Sequence, residues 1–191
     1  MHLPKREFIF LRHGETAYNR EGRFQGRIDV PLNSAGVAQA ESAADVLAKR
    51  QISRVVSSPA RRVLQTVQQF LQAEEIPLHI EDDLMEFFVG GFEGKQVADI
   101  RQEHGLDRAE SWLSVLPDDA ERWSEFVSRV CSAVARWTEQ HTGETILVAS
   151  HGLVFRALAE ELTGKILFSR NAESHRFSPV DDGWTISPVL E

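Results

Sequence analysis

Residues Phe8–Asn19 read FIFLRHGETAYN, and the other segments of the chain can be placed relative to them. The stretch opens with four apolar residues, Phe8–Leu11, and then changes abruptly to the polar, glycine-containing sequence Arg12–Thr16. This change is typical of a buried strand that runs into a loop. Because both faces of the strand are apolar, we expect it to lie in the interior of a parallel sheet.

Arg12 and His13 follow this strand directly. Ligands of open parallel sheets bind at the carboxyl ends of the strands, which is where these two side chains would lie. An arginine beside a histidine in a glycine turn adds little to packing, but it can hold an anion next to a nucleophile or a base. A solvated loop is the alternative interpretation, since short motifs of this kind also occur without function.

The composition is that of an ordinary globular protein. The chain, taken as one domain over residues 1–191, is 42% hydrophobic and 26% charged, which suits one sizeable core. Its formal net charge of −8 argues against non-specific binding to nucleic acid or to an anionic membrane. An anionic substrate is still allowed, because a few clustered arginines can make one cleft positive.

Cysteine content and the first residues bear on location. Cys131 is the one cysteine, which excludes an intrachain disulfide and disfavours cysteine–zinc chemistry. The first residues, MHLPKRE, contain no apolar signal core, and no apolar run is long enough to cross a membrane. We therefore predict a cytoplasmic protein that does not bind membranes. The oligomeric state stays open, with a homodimer as one option.

Two further predicted strands end at residues that could carry chemistry. Val55-Val56 predicts a strand that stops at Ser57-Ser58-Pro59, and the helix after it carries Arg61-Arg62 in its first turn. Cations at that place either face solvent or bind an anion that the helix N-terminus also attracts. Residues Thr145–Ala149 predict another buried strand, which stops at Ser150-His151-Gly152 before a helix. Two strands that end in His-Gly favour a shared site over two unrelated loops.

A loop over Asp82–Gly94, called the acid loop below, supplies the acidic group. It follows Pro77–Ile80, which predicts an edge strand because proline cannot donate a ladder hydrogen bond. Within the loop, Glu86 stands close to three phenylalanines. A carboxylate in apolar surroundings has a raised pKa and can donate a proton. The alternative is a solvated Glu86, with the phenylalanines simply closing the core.

Five side chains together support phosphoryl transfer. That reaction needs a nucleophile, cationic donors for the phosphoryl oxygens and an acid for the leaving group. A neutral imidazole can be the nucleophile, and nearby arginines should keep His13 neutral by lowering its pKa. A protonated His151 could stabilise developing charge, while Glu86 could protonate the leaving oxygen and then activate water. The five side chains are those of Arg12, His13, Arg62, Glu86 and His151.

Two other uses of these residues are less well supported. A metal site is the competing use of two histidines, but the sequence has no HExxH motif and no His/Asp cluster with two-metal spacing. A Ser-His-Asp hydrolase would need a GxSxG motif after a strand, and the sequence has none.

Motifs spread over nearly the whole chain resemble one known family. They are LRHGET at Leu11–Thr16, QGRIDVPL at Gln25–Leu32, Ser57-Ser58-Pro59 with Arg62 and Thr66, the acid-loop residues Leu84, Glu86, Gly90, Glu93 and Gly94, and Ser150-His151-Gly152 with Arg156-Ala157-Leu158. Together they resemble the histidine phosphatase superfamily, which has the phosphoglycerate-mutase-like fold.

The resemblance implies a fold and a set of roles. The implied fold is α/β, a three-layer α/β/α sandwich around a mostly parallel sheet. His13 is implied to be the phosphorylated nucleophile and Glu86 the proton donor, and no metal or cofactor is needed. Arg12, Arg62 and His151 are implied to form the phosphate pocket, with Asn19 also reaching a phosphate oxygen. Gln25, Gly26 and Gly152 are assigned to substrate binding by their places in the motifs.

The chain also departs from the family pattern. Phe92 stands where many relatives have tryptophan, and Phe87, Phe88 and Gly91 replace more polar residues, which predicts an apolar rim around the substrate. Arg122 follows Glu121 where relatives often have serine, so a role for Glu121 stays open.

The sequence favours a phosphatase over a mutase. Mutases of this family resemble longer chains whose insertion shields the phosphohistidine from water, and Gly94 to His151 leaves little room for one. The chain looks most similar to short bacterial phosphatases, a type that includes α-ribazole phosphatases. We expect hydrolysis of a small phosphorylated metabolite, with specificity shaped by residues 95–120. The alternatives are mutase-type transfer and a non-catalytic phospho-ligand binding module, which the presence of all five side chains disfavours.

Overall fold

The structure, a computed structural model, describes residues 5–72, 75–107 and 111–190. Its six strands form one sheet in the order β3-β2-β4-β1-β5-β6. The strands are β1 (Phe8–Arg12), β2 (Arg54–Ser57), β3 (Leu78–Ile80), β4 (Ile146–Ser150), β5 (Ser174–Val180) and β6 (Gly183–Pro188). The α-helices among the described residues are α1 (Ala17–Glu21), α2 (Ser34–Leu47), α3 (Arg61–Leu71), α4 (Val97–Glu103), α5 (Trp123–Gln140) and α6 (Gly152–Thr163).

The sheet is mostly parallel, as the sequence predicts. The pairs β1–β4, β2–β4 and β2–β3 are parallel, whereas β1–β5 and β5–β6 are antiparallel. β3 is an edge strand, as its preceding proline predicts, and β5 and β6 form a C-terminal antiparallel hairpin. The strand that opens the chain, β1, lies in the interior between β4 and β5.

Helices cover both faces of the sheet. Phe8 and Phe10 of β1 are fully buried in a cluster with side chains of α5 and α6, whereas Ile9 and Leu11 are buried with side chains of α2 and α3. Because successive side chains of a strand point to opposite faces, this partition defines three layers. Fully burying each such side chain contributes roughly 1.5–3 kcal/mol, so the four apolar residues anchor both layers. The predicted three-layer α/β/α sandwich is confirmed.

Local features of the fold agree with the sequence in detail. Asn33, a residue type that favours helix N-caps, caps α2 by accepting a hydrogen bond from the Gly36 N–H at 2.8 Å. Cys131 is buried in the core, where burial raises the pKa of its thiol to about 12, and it therefore packs as a small apolar residue. None of the helices within the described ranges is long and apolar enough to cross a membrane.

Candidate active site

Strand register brings the predicted residues together. In the parallel pair β1–β4, Arg12 lies opposite Ser150, so the residues that follow, His13 and His151, emerge side by side. The two imidazole rings lie edge to face with their centroids 5.4 Å apart. The end of β2 reaches the same edge, because Ser57 lies opposite Ala149 of β4. Three strand ends therefore build one site, as expected for an open parallel sheet.

His13 is held as a neutral imidazole with one free nitrogen. The side chain is only 2% exposed, and its Nδ1–H donates to the Gly14 carbonyl at 2.7 Å. This bond fixes the tautomer and leaves the Nε2 lone pair unengaged. Burial lowers the pKa of His13 well below its usual value, and the charges of Arg62 and Arg12 lower it further. The arginines thus lower the pKa of His13, as the sequence predicts, although burial lowers this pKa more.

Gly14 allows the loop that carries His13 to pack tightly. A Cβ at Gly14 would lie 2.5 Å from the Gly36 carbonyl oxygen at the start of α2, so any side chain would push the two segments apart. The Gly14 N–H donates to Thr66 Oγ1 of α3 at 3.0 Å. Thr66, which the sequence motif contains, thus fixes the loop to the helix that also carries Arg62.

Arg62 is fully buried and held by a backbone loop. Its Nη1 donates to the Ile28 carbonyl at 2.9 Å and its Nη2 to the Gly26 carbonyl at 2.8 Å. Gly26 adopts φ +52°, and a Cβ there would lie 2.2 Å from Glu93 Oε1. Gly26, predicted to bind substrate, therefore lines the cavity and also aims Arg62. The neighbouring Arg61 is exposed. Of the two arginines in this turn, Arg61 therefore faces solvent and Arg62 is buried at the site.

Arg12 lies against the start of α6. Its Nη1 donates to the Ser169 carbonyl at 2.5 Å, and its guanidinium carbon lies 3.2 Å from where a Cβ of Gly152 would stand. Gly152 was assigned to substrate binding from its motif. It lines the cavity, and its lack of a side chain also makes room for the Arg12 guanidinium.

We expect Gly152→Ala to lower kcat/KM about tenfold, because the added methyl displaces the Arg12 guanidinium and small misplacements of a binding group are costly. Alanine is the better helix former, so the melting temperature should not fall. Steady-state kinetics and thermal unfolding measure both effects. Gly91→Ala is the matched control, since a Cβ there meets only Asp119 at 3.9 Å. Unchanged kcat/KM in Gly152→Ala would contradict this role.

His151 is buried beside His13 and the two arginines. Its Nε2 lies 2.8 Å from Ser58 Oγ. Burial lowers the pKa of His151 well below its usual value, and Arg62, His13 and Arg12 lower it further. In the protein without a bound anion this lowered pKa favours the neutral imidazole. The protonated His151 that the sequence analysis considers for the reaction therefore needs a bound anion to offset these neighbours.

Three buried nitrogens of the site have no hydrogen-bond partner. Among the described residues, five buried side-chain atoms lack such a partner, and two of these, Arg156 Nε and Glu160 Oε2, pair with each other at 3.7 Å. The other three belong to residues whose charges or rings act on one another in the site. Buried polar groups without partners are rare and costly, so their presence in one site favours an anion-binding pocket. The three nitrogens are Arg12 Nε, Arg62 Nε and His151 Nδ1.

Glu86 lies beside this group with a raised pKa. Its Oε1 accepts from the Phe87 N–H at 2.9 Å and its Oε2 from the Leu153 N–H at 3.4 Å. Burial raises the pKa of Glu86, and these N–H donors and the nearby arginines only partly oppose the shift. The raised pKa agrees with the sequence expectation for a carboxyl group near phenylalanines, of which Phe87 is buried in the core.

The polar residues Asn19 and Gln25 also face the site. The Asn19 Oδ1 accepts from Thr16 N at 3.1 Å and from Asn171 Nδ2 at 3.2 Å, which leaves its amide N–H groups for a ligand. Gln25 Oε1 accepts from Thr16 Oγ1 at 2.6 Å, so this side chain likewise presents N–H groups. Both line a cavity of about 260 Å³ that also contains Arg12, His13, Glu86 and Gly152.

The apolar rim agrees only in part with the one predicted. Of the three predicted residues, Phe87 lines the cavity although it is buried, whereas Phe88 and Gly91 do not line it. Phe88 instead lies near Arg27, whose guanidinium is 5.6 Å from the ring centroid. Val97 and Trp112 lie in the segment 95–120, whose residues 108–110 are outside the described part of the chain. Besides Phe87 and Val89, the cavity is lined by five apolar residues that we call the apolar wall: Phe24, Val97, Trp112, Leu153 and Phe168.

Sequence reasoning missed Arg129, which fixes the acid loop. Arg129 forms a two-point ion pair with Glu121, with distances of 2.7 and 2.9 Å. Its guanidinium also donates to the carbonyls of Asp83, Met85 and Glu86 at 2.6, 2.8 and 3.2 Å. Burial alone would raise the pKa of Glu121, but hydrogen bonds and charge from Arg129 hold it below its usual value. Glu121 therefore holds Arg129, and Arg129 in turn binds the backbone carbonyl of Glu86.

We expect Arg129→Ala to lower kcat by roughly 10- to 100-fold with a smaller change in KM, because a loosened acid loop misplaces Glu86 without touching the phosphate pocket. Glu139→Ala is the control on the same helix, since Glu139 is exposed near the end of α5. Kinetics of the two variants with an alkyl phosphate would test this. A larger effect on KM than on kcat in Arg129→Ala would contradict a positioning role.

No group of three or more His, Cys, Asp or Glu side chains in residues 5–72, 75–107 and 111–190 is arranged to hold a metal ion. The convergent groups are two neutral imidazoles, two guanidinium groups and one carboxyl group with a raised pKa. Guanidinium groups match the oxygens of a phosphoryl group in charge and geometry. The arrangement can therefore bind a phosphoryl group, attack it from His13 and supply one proton.

The chain is similar to known proteins over nearly its whole length. The family model described as "Histidine phosphatase superfamily (branch 1)" matches residues 8–186. Phosphoglycerate mutase-like protein 4 of Arabidopsis thaliana is 33% identical over 190 residues, covering 94% of this chain and 83% of that protein. The metal-independent phosphoserine phosphatase of the same plant is 31% identical, with coverages of 94% and 79%. The structure of the alpha-ribazole phosphatase from Shigella flexneri matches with a TM-score of 0.81 at 25% identity, covering 96% of this chain and 95% of that one.

Proposed function

The chain belongs to branch 1 of the histidine phosphatase superfamily, and we propose that it hydrolyses small phosphomonoesters through a phosphohistidine on His13, without a metal ion. One observation carries the proposal. Arg12, Arg62 and His151 each have a buried nitrogen without a partner, and all three side chains act on or contact His13, whose Nε2 is free. This combination offers both a binding pocket for phosphoryl oxygens and a nucleophile.

In the first step, the Nε2 lone pair of His13 attacks phosphorus and the bond from phosphorus to the ester oxygen breaks. The guanidinium groups of Arg12 and Arg62 hold the phosphoryl oxygens and balance their charge. Glu86, protonated because burial raises its pKa, gives its proton to the leaving oxygen. The alcohol leaves, and a phosphohistidine and a Glu86 carboxylate remain.

In the second step, the Glu86 carboxylate takes a proton from water, and the water oxygen attacks phosphorus. The bond from phosphorus to His13 Nε2 breaks, which restores the neutral imidazole and the protonated Glu86. His151 starts this cycle neutral, and a bound phosphoryl dianion favours its protonation because opposite charges attract. Its Nδ1 can then donate to a phosphoryl oxygen in both steps.

The length of the segment before the second histidine favours hydrolysis over mutase-type transfer. A mutase must keep its phosphohistidine away from water, and Gly94 to His151 leaves little room for a shielding insertion. A non-catalytic binding module is disfavoured, because His13, Glu86 and Arg12 line one cavity and Arg62 and His151 are also present in the chain.

Chelation of metals tests the proposal directly. We expect turnover of p-nitrophenyl phosphate to be unchanged after dialysis against EDTA, because protein side chains supply every charge and proton that the proposed steps need. Activity before and after dialysis, and after adding back Mg²⁺ or Zn²⁺, measures this. Turnover that is lost in EDTA and restored by a metal would overturn it. A wild-type protein that interconverts phosphoglycerates faster than it hydrolyses any ester would instead indicate a mutase.

A further inference from the structure

We propose that the natural substrate carries an aromatic or extended apolar group on its alcohol half, and that the apolar wall formed by Phe24, Val97, Trp112, Leu153 and Phe168 binds it. This inference rests on the proposed phosphatase function, because it concerns the half of the substrate that the phosphate pocket does not hold. It limits the expected substrates to phosphate esters whose alcohol half is apolar and carries no second anionic group.

The base of the wall is preformed. The rings of Phe24 and Trp112 pack edge to face with centroids 4.8 Å apart, and Phe24 is only 6% exposed. Trp112 is half-buried and also lies near the buried Phe87, at 6.5 Å between ring centroids. Because these aromatic side chains are already packed, an apolar ligand would meet them at low entropic cost.

Phe168 comes from a different segment of the chain and is the most exposed residue of the apolar wall. Its ring is near the Arg156 guanidinium, at 5.9 Å, and its neighbour Ser169 accepts a hydrogen bond from Arg12. The hydrogen bond between Ser169 and Arg12 therefore connects the segment that carries Phe168 to the phosphate pocket. A single exposed apolar residue needs no explanation, but this one belongs to a continuous apolar lining that leads to His13.

The charges around the cavity disfavour a substrate with a carboxylate. Among the described residues that line it, Arg12 and Glu86 belong to the reacting end, and Arg23 is the other charged side chain. Arg23 is already engaged, because its Nε pairs with Glu21 at 2.7 Å and its Nη1 donates to the Gly94 carbonyl at 2.9 Å. A second anionic group on the substrate would lose water and would have to compete with Glu21 for Arg23.

Three esters with similar primary alcohol leaving groups isolate the remote end of the substrate. They are propyl phosphate, 3-phenylpropyl phosphate and the phosphate ester of 3-hydroxypropionate. We expect kcat/KM for the phenylpropyl ester to exceed that for the propyl ester by at least about tenfold, because binding a phenyl group removes substantial apolar surface from water. The carboxylate ester should be the poorest of the three.

Variants show whether the apolar wall causes this preference. Phe168→Ala and Trp112→Ala should each reduce the phenylpropyl-to-propyl ratio of kcat/KM by about fivefold. Ile166→Ala is the control, since Ile166 is also exposed, at 54%, in the same loop but does not line the cavity, and it should keep the ratio.

The outcomes separate the two proposals. Equal kcat/KM for the phenylpropyl and propyl esters, a preference for the carboxylate ester, or an unchanged ratio in both wall variants would overturn the inference while leaving the phosphatase proposal in place. Failure of the wild type to hydrolyse any of the three esters would overturn the proposed function and, with it, the inference.

Discussion

His13→Ala is expected to lower kcat by about 10⁴-fold or more with both alkyl and aryl phosphates, because it removes the nucleophile on which both chemical steps depend. The imidazole is buried, and its Nδ1–H donates only to the adjacent Gly14 carbonyl, so the fold should tolerate the change. Binding of inorganic phosphate should persist, since Arg12 and Arg62 remain. Single-turnover kinetics and phosphate binding by calorimetry measure the two effects.

A second histidine provides the matched control. His104→Ala removes an exposed imidazole whose nearest aromatic contact is Phe92, outside the phosphate pocket, and it should retain wild-type turnover. If His13→Ala stayed within tenfold of the wild type while remaining folded, water rather than His13 would be attacking phosphorus. The proposed mechanism would then be wrong.

Glu86→Gln is expected to lower kcat for propyl phosphate by roughly 10²- to 10⁴-fold, because an alkoxide is a poor leaving group without a proton donor. The loss in the first chemical step should be much smaller with p-nitrophenyl phosphate, whose leaving group is stable as an anion. Pre-steady-state release of the two alcohols separates these effects. Equal losses in the first step with both esters would contradict the role of Glu86 as the acid.

The pH profile gives an independent check on the same residue. Burial raises the pKa of Glu86, and the protonated form is the active one for the first step. Therefore kcat/KM for propyl phosphate should fall as the pH rises through this raised pKa. Glutamine cannot lose a proton, so the Glu86→Gln profile should lack that alkaline decline. His13, whose pKa is lowered, stays unprotonated across the neutral range and should not cause a decline there.

The sequence predicted most of the architecture because the apolar pattern is strong at the strands that matter. Phe8–Leu11 is apolar at four consecutive positions, and in the structure its alternate residues support two separate helical layers. The parallel pairing of β1 with β4 then brings His13 and His151 together, so two motifs far apart in sequence predicted one site.

The parts that could not be predicted depend on contacts between distant segments. Arg129 looks like an ordinary polar residue in the apolar stripe of α5, and only the packed structure places it on the carbonyls of the acid loop. The role of Gly152 beside Arg12 is likewise a distance across space, not a sequence pattern. The neutral state of His151 follows from burial and from three neighbours that come from other elements.

The apolar rim shows the same limit more clearly. Consecutive phenylalanines in the acid loop predicted a rim at Phe87 and Phe88, yet only Phe87 lines the cavity, and it is buried. The apolar wall draws Phe24, Trp112 and Phe168 from three other segments without a shared motif. Spacing along the chain carries no information about such a surface, because loops of different length bring its members together.

A burst experiment with Glu86→Gln and p-nitrophenyl phosphate tests the phosphohistidine on His13 most directly. The good leaving group lets the first step proceed, while loss of the Glu86 carboxylate slows attack by water in the second. We expect a rapid release of about one p-nitrophenol per active site, then slow turnover, with one phosphoryl group located on His13 by mass spectrometry after alkaline quenching. Steady turnover without a burst, or a phosphoryl group on another residue such as His151 or Ser58, would contradict the proposed mechanism.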